Sequence, residues 1–290
     1  MRVRREKISE AVRRRNLKKG MYLIPSLFTA ANIGMGFYAV MQTMHGFQLV
    51  GIGGEENFAR AAGYFDYAAR ALGWAVLFDS LDGRIARMTK TTTEIGVQLD
   101  SIADMLTFGI APAALVYAWS YGSVFPEDTA IHKIGWFLSF MFVVCGAFRL
   151  ARFNVQATRP RVLEEGTAKI DKKSFVGLPI PIASGLLAAT VHFAPAPLVT
   201  KTATEAFNYS VLMMILIAAL STLMVSTFRY TSFKSVGQTR RSTRFALVAL
   251  AAFGMLVWLF SREVLLLVAA AYVSHGILLY FFSFFRRKPQ

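Results

Sequence analysis

Apolar residues in this chain gather in long blocks rather than at the 3.6- or 2-residue spacing of half-buried helices and strands. Eight such blocks run from Ile24–Met44, Tyr67–Arg87, Gly96–Ser120, Ile134–Arg149, Leu178–Phe193, Tyr209–Thr227, Phe245–Phe260 and Val264–Phe282. Several approach the roughly 20 residues needed to cross a hydrocarbon core about 30 Å thick, and the fourth, fifth and seventh are shorter. Only Ser261-Arg262-Glu263 separates the last two blocks, which predicts a tight helical hairpin. The pattern predicts an all-α fold, a polytopic membrane helix bundle of about eight transmembrane helices. It leaves room for tails and short loops but not for a large soluble domain.

Composition supports this pattern. Of 290 residues, 55% are hydrophobic and only 17% charged, which excludes a soluble globular enzyme and a disordered chain. The single cysteine, Cys145, excludes an intrachain disulfide. A net charge of +15 would otherwise suggest nucleic acid, but the placement of the charges assigns it to the membrane surface instead. The tail to Lys19 carries 9 Lys and Arg, the stretch Arg84–Lys90 carries 3, Arg149–Lys173 carries 7, Arg229–Arg244 carries 5 and the C-terminus 3. These rich segments are every other one along the chain. Basic loops mark the cytoplasmic side, so both termini and the three basic loops are expected there. The chain divides into a basic juxtamembrane tail over 1–20, a membrane domain over 21–227, and a basic loop with a C-terminal hairpin over 228–290.

The chemistry concentrates in one window. Four aspartates fall within 26 positions: Asp79, Asp82, Asp100 and Asp104. On a helix, Asp79, Asp82, Gly83 and Ala86 share a face at i, i+3, i+4 and i+7, and Asp100 and Asp104 share another at i and i+4. A break near Lys90–Thr93 would let the two faces pack together, bringing four carboxylates into one pocket near the interface. Like charges in a poorly solvated pocket repel, and each uncompensated charge costs several kcal/mol. A hard divalent cation with oxygen ligands, Mg²⁺ or Mn²⁺, is the simplest remedy. Gly83 and Ala86 leave room for close approach to the helix, and Arg87 offers a planar fork for phosphate. Metal, phosphate and a spare carboxylate point to phosphoryl-group transfer.

The same window fits the pattern D-x2-D-G-x2-A-R-x8-G-x3-D-x3-D at all eight fixed positions: Asp79, Asp82, Gly83, Ala86, Arg87, Gly96, Asp100 and Asp104. In this it resembles the CDP-alcohol phosphotransferases, membrane enzymes of phospholipid synthesis that share a six-helix core. Pro25-Ser26, Thr29 and Asn32 in the first block, Phe78-Asp79-Ser80, Arg149-Leu-Ala-Arg152-Phe153-Asn154 and Gly177-Leu178-Pro179 are similar to the bacterial and archaeal phosphatidylserine synthases of that family. The resemblance implies transfer of a phosphatidyl group from CDP-diacylglycerol to L-serine, giving phosphatidylserine and CMP. It implies that Asp79, Asp82 and Asp100 hold one or two divalent metals, with Asp104 a further ligand or the free catalytic base. Thr29, Asn32, Asp79, Gly83 and Arg87 would bind CDP-diacylglycerol. It further implies a homodimer in a bacterial-type inner membrane, with the active site on the cytoplasmic side.

The acceptor pocket carries less signal. Arg149 and Arg152, at i and i+3 on the fourth block, are candidates for the serine carboxylate, although topology alone also places basic residues at a cytoplasmic helix end. The same chemistry with glycerol 3-phosphate or inositol phosphate as acceptor is the alternative. A transporter with an acidic ion site would call for broken helices at mid-membrane and inverted repeats, which the sequence does not display. His45, His132, His192 and His275 show no metal-ligand spacing and are expected to be structural.

Overall fold

The structure is a computed structural model that describes residues 2–89, 94–158, 174–226, 229–231 and 254–286. It is a helical membrane bundle. α1 (Arg2–Ile52) and α2 (Glu55–Thr89) form a long hairpin closed by Gly53 and Gly54, whose φ angles of 78° and 92° make a turn that residues with a Cβ rarely adopt. The third segment is one interrupted helix: α3 (Glu94–Asp104), a π turn (Met105–Ile110) and α4 (Ala111–Trp119), followed by the short α5 (Tyr121–Val124). Then come α6 (Ala130–Thr158), α7 (Ile180–Phe193), a 3-10 turn at Leu198–Thr200 and α8 (Ala203–Val225). α9 (Ser261–Arg286) ends the described chain.

Among the described residues, four segments are long and apolar enough to cross a membrane: Ile95–Val124, Ala130–Val155, Ile180–Thr200 and Ala203–Val225. α1, α2 and α9 contain the first, second and eighth expected blocks. The seventh block, Phe245–Phe260, lies for the most part outside the described residues, as do the expected break at 90–93 and most of the basic loops. Ser261-Arg262-Glu263, expected as a connector, is instead the first turn of α9, where Glu263 complements the positive end of the helix dipole. A small two-stranded ribbon adds to the all-α pattern: β1 (Ser174–Val176) pairs antiparallel with β2 (Arg229–Thr231).

The interior is packed by Phe65, Leu72, Phe108, Leu115, Tyr121, Phe142, Leu187 and Ile217, while Phe37, Trp74, Trp136, Leu212, Ile215 and Leu267 face outward. Apolar side chains on both faces are what a helix needs with protein on one side and lipid on the other. Small residues set how closely the helices approach. A Cβ on Gly46 would stand 2.8 Å from the Phe65 ring, and one on Gly146 would stand 2.6 Å from the Ile180 side chain. Gly177, at φ 83°, turns the chain into α7 with its Cα against the α8 backbone, where a Cβ would meet the Met224 carbonyl at 2.5 Å. Pro179 then caps α7 in extended geometry, where its missing N–H leaves no bond unmade.

A polar clamp ties three helices together at the end of α7. His192 on α7 bonds Asp66 on α2 through Nδ1 at 2.5 Å and Ser261 on α9 through Nε2 at 3.0 Å. Arg70, one turn along α2, takes the other carboxylate oxygen of Asp66 at 2.7 Å. His192 is 4% exposed and Asp66 7%, so removing His192 leaves one oxygen of Asp66 desolvated and unmatched while Arg70 keeps the other. His132 is likewise structural, bonding the Tyr117 hydroxyl at 3.0 Å and the Phe125 carbonyl at 2.9 Å. We expect His192→Ala to lower unfolding stability in detergent by about 2–4 kcal/mol, because it removes two hydrogen bonds at once and leaves one buried oxygen of Asp66 unmatched. Ser261→Ala should cost about 1 kcal/mol. A thermal-unfolding series in which the two variants cost the same would contradict this account.

Candidate active site

Asp79 stands on the last third of α2, and Asp100 and Asp104 close α3. α2 continues as a helix to Thr89, so the i, i+3, i+4, i+7 face expected for Asp79, Asp82, Gly83 and Ala86 is kept in the backbone. The side chains of Asp82, Ala86 and Arg87, and the surroundings of Gly83, lie outside what the structure describes. The structure does bring the other three acids together. One carboxylate oxygen from each of Asp79, Asp100 and Asp104 lies within 4.8 Å of the other two.

That proximity needs compensation. Two unit charges about 4 Å apart repel by roughly 4 kcal/mol at the effective dielectric near a protein surface, and here there are three. Asp104 is only 9% exposed, so water relieves little of its share. Three hard carboxylate oxygens converging from two helices are the donor set of a hard divalent cation, and the residues present fit Mg²⁺ or Mn²⁺. The protein adds its own partial relief. Arg149 on α6 lies within electrostatic reach of both Asp104 and Asp79, and Tyr272 of α9 borders the same guanidinium. The Arg149 Nε is buried with no hydrogen-bond partner among the described residues. Arg152, one turn further out, is only half-buried, and no described contact brings it to the carboxylates.

α1 closes the pocket from the other side. Thr29 and Asn32, one turn apart, are 6% and 1% exposed. Asn32 Nδ2 donates to Asp104 Oδ1 at 3.5 Å. The Thr107 hydroxyl, on the π turn that follows Asp104, donates to the Asn32 backbone carbonyl at 3.1 Å. A π turn holds one residue more than an α turn and so re-aims the side chains beyond it. Gly36 makes the approach possible, since a Cβ there would sit 2.9 Å from the Thr107 Cα. α6 is pinned in turn to α3: Asn154 Nδ2 donates to Ser101 Oγ at 2.8 Å, and that hydroxyl donates to the Val97 carbonyl at 3.0 Å.

Sequence reading points to Asp79, Asp100, Asp104 and Arg149 from their spacing and to Asn32 from the family resemblance, and misses Thr107, Gly36, Ser101 and Tyr272. Thr107 and Asn32 are 75 positions apart, and neither residue type at that distance carries a signal. Only the small-residue pattern Gly34-x-Gly36 on an apolar helix hints that another backbone comes close there.

The family model described as CDP-alcohol phosphatidyltransferase matches residues 22–215. The chain is 31% identical over 271 residues to the CDP-diacylglycerol–serine O-phosphatidyltransferase of Helicobacter pylori, covering 90% of this chain and 92% of that relative. It is 35% identical over 173 residues to the enzyme of the same name from Saccharomyces cerevisiae, covering 60% and 53% of the two chains. Against the one from Methanocaldococcus jannaschii it is 38% identical over 113 residues, covering 39% and 44%.

Metal affinity tests the carboxylate cluster directly. Mn²⁺ binding to the purified protein, followed by the EPR signal of the free ion, should weaken on the order of tenfold or more in each of Asp79→Asn, Asp100→Asn and Asp104→Asn, because each removes a charged oxygen ligand. Wild-type affinity in all three variants would place the metal elsewhere.

Proposed function

This chain belongs to the CDP-alcohol phosphatidyltransferase family, and we propose that it transfers the phosphatidyl group of CDP-diacylglycerol to L-serine, releasing CMP. The observation that carries this reading is the convergence of Asp79, Asp100 and Asp104 within 4.8 Å. It occurs in a chain that resembles a serine-using relative over nine-tenths of its length. Phosphoryl transfer asks the protein mainly to position two oxygens in line and to neutralise charge, and a carboxylate cluster flanked by an arginine suits that task.

In this proposal Asp79, Asp82, Asp100 and Asp104 surround one or two divalent cations, Mg²⁺ or Mn²⁺. A cation held there would supply Lewis acidity, drawing charge from the diphosphate as CMP departs. Arg87 would bind the diphosphate, and Gly83 would leave the cytidine and phosphates room to approach, with Thr29 as a further contact. Asp104, the most enclosed of the three described acids, is the base. Its carboxylate takes the proton of the serine hydroxyl, and the oxygen attacks the phosphorus that carries the diacylglycerol. The new P–O bond forms as the bond from that phosphorus to the bridging oxygen breaks, and CMP leaves with the electron pair. Arg149 holds the serine carboxylate, and Arg152 guides the acceptor at the rim.

The orientation follows the charge asymmetry of the loops. In this reading the site opens to the cytoplasm, so that serine reaches it from water and CMP leaves to water while the acyl chains stay in lipid. Exposed Trp74 and Leu77, on α2 just before Asp79, offer an apolar flank for the acyl chains. The family resemblance also supports a homodimer.

Purified protein in detergent with Mn²⁺, CDP-diacylglycerol and a panel of alcohols tests the reaction. Serine should drive CMP release, and Asp104→Asn should lower it by about 10²–10⁴-fold, the usual contribution of a general base. Release with glycerol 3-phosphate and none with serine would replace the acceptor. Undiminished release from Asp104→Asn would remove that residue from the base role.

A further inference from the structure

Three buried side-chain polar atoms lack a hydrogen-bond partner among the described residues: Asn32 Oδ1, Arg149 Nε and Ser184 Oγ. Buried polar groups are nearly always paired, so each orphan asks for an explanation. Two of the three border the same carboxylate. Asn32 donates to Asp104 from its amide nitrogen, and Arg149 lies within electrostatic reach of Asp104 from α6. One orphan is a neutral acceptor and the other a cationic donor.

That pairing constrains what can lie over Asp104. The orphan on Asn32 is a carbonyl oxygen with no proton to give. A phosphate at neutral pH is itself an acceptor and has nothing to offer it, so this oxygen does not serve the diphosphate, and neither does it serve the carboxylate of an acceptor. It matches an N–H donor, best a charged one. The orphan on Arg149 matches an anion. An acceptor with an ammonium and a carboxylate on one carbon and a hydroxyl on the next carries the groups that complement all three: an ammonium for Asn32 Oδ1, a carboxylate for Arg149 Nε and a hydroxyl for Asp104.

We propose that Asn32 is the ammonium-recognition residue of the acceptor site, so that Asn32 and Arg149 together select a 2-amino-3-hydroxy acid zwitterion. This rests on the reading of the chain as a phosphatidyltransferase. Three features keep the Asn32 amide in that role. Its nitrogen is occupied by Asp104, which orients the oxygen away from the carboxylate. Its backbone carbonyl is held by the Thr107 hydroxyl from the π turn. Gly36, one turn along α1, leaves the gap through which Thr107 reaches it. Thr107 is therefore a positioning residue for acceptor binding: it fixes the helix that presents the amide and touches no substrate itself.

Two truncated acceptors separate the contributions. 3-Hydroxypropionate keeps the hydroxyl and carboxylate of serine and lacks the ammonium, and ethanolamine keeps the hydroxyl and ammonium and lacks the carboxylate. With CMP release as the readout, the wild-type preference in kcat/KM for serine over 3-hydroxypropionate should fall roughly 10–100-fold in Asn32→Ala, the scale of one hydrogen bond to a charged group. The preference for serine over ethanolamine should hold in that variant and fall in Arg149→Ala. Thr107→Val, close to isosteric, should raise the serine KM with little change in kcat, and Thr107→Ser should restore it. This variant carries the test if Asn32→Ala fails to fold. Wild-type protein that ignores serine but accepts another alcohol would overturn the serine reading. Serine activity whose preference over 3-hydroxypropionate survives both Asn32→Ala and Thr107→Val would overturn this inference alone.

Discussion

Mutual repulsion among Asp79, Asp100 and Asp104 is the constraint around which the functional end of this bundle is organised. Three carboxylates within 4.8 Å cannot stand together without positive charge and donors arranged about them. α2 and α3 supply the acids, α6 brings Arg149, and α1 brings the Asn32 amide. Each of these helices is then fixed by contacts that touch no carboxylate: Asn154 to Ser101 for α6, Thr107 to Asn32 for α1, and the Gly53-Gly54 turn for the α1–α2 hairpin. The polar groups that do chemistry and the polar groups that hold helices in place are distinct sets. Both are needed, because in lipid the hydrophobic effect contributes little to bringing one helix against another.

The π turn at Met105–Ile110 shows how local backbone irregularity serves this arrangement. A continuous α-helix from Glu94 to Trp119 would hold one phase, and the face that presents Asp104 to the acids would continue unchanged into the core. The extra residue shifts the phase just past Asp104, so that Thr107 turns to α1 while Phe108 and Leu115 are fully buried. One irregular turn thus serves both the site and the interior.

Much of this was legible in the chain itself, for identifiable reasons. Long apolar blocks announce membrane helices because backbone polar groups in lipid must be satisfied within the helix. The facing Asp residues announce a site because their spacing is fixed by the helical period. What stayed hidden depends on contacts between distant positions. The Asp66–His192–Ser261 clamp joins residues 126 and 69 positions apart, and a lone His in an apolar block has no spacing to betray its partners. The phase shift at Met105–Ile110 is silent too, since no Pro or Gly pair marks its start. The short β1–β2 ribbon joins two segments 55 positions apart by backbone bonds alone, and its register, Phe175 opposite Tyr230, has no side-chain code.

The clamp also carries a consequence for how chains of this kind diverge. The stretch that matches the family model ends at residue 215, yet His192 within it finds the partner for its Nε2 at Ser261, on a helix that lies beyond that limit. A buried imidazole left with a bare nitrogen is a burden on any chain that carries it. A lineage that lost α9 would be under pressure to replace His192 with an apolar residue and to release Asp66 with it. A lineage that gained the helix would be free to acquire both. Asp66, His192 and Ser261 therefore act as one structural unit, and a change at any one of them alters what the other two must pair with.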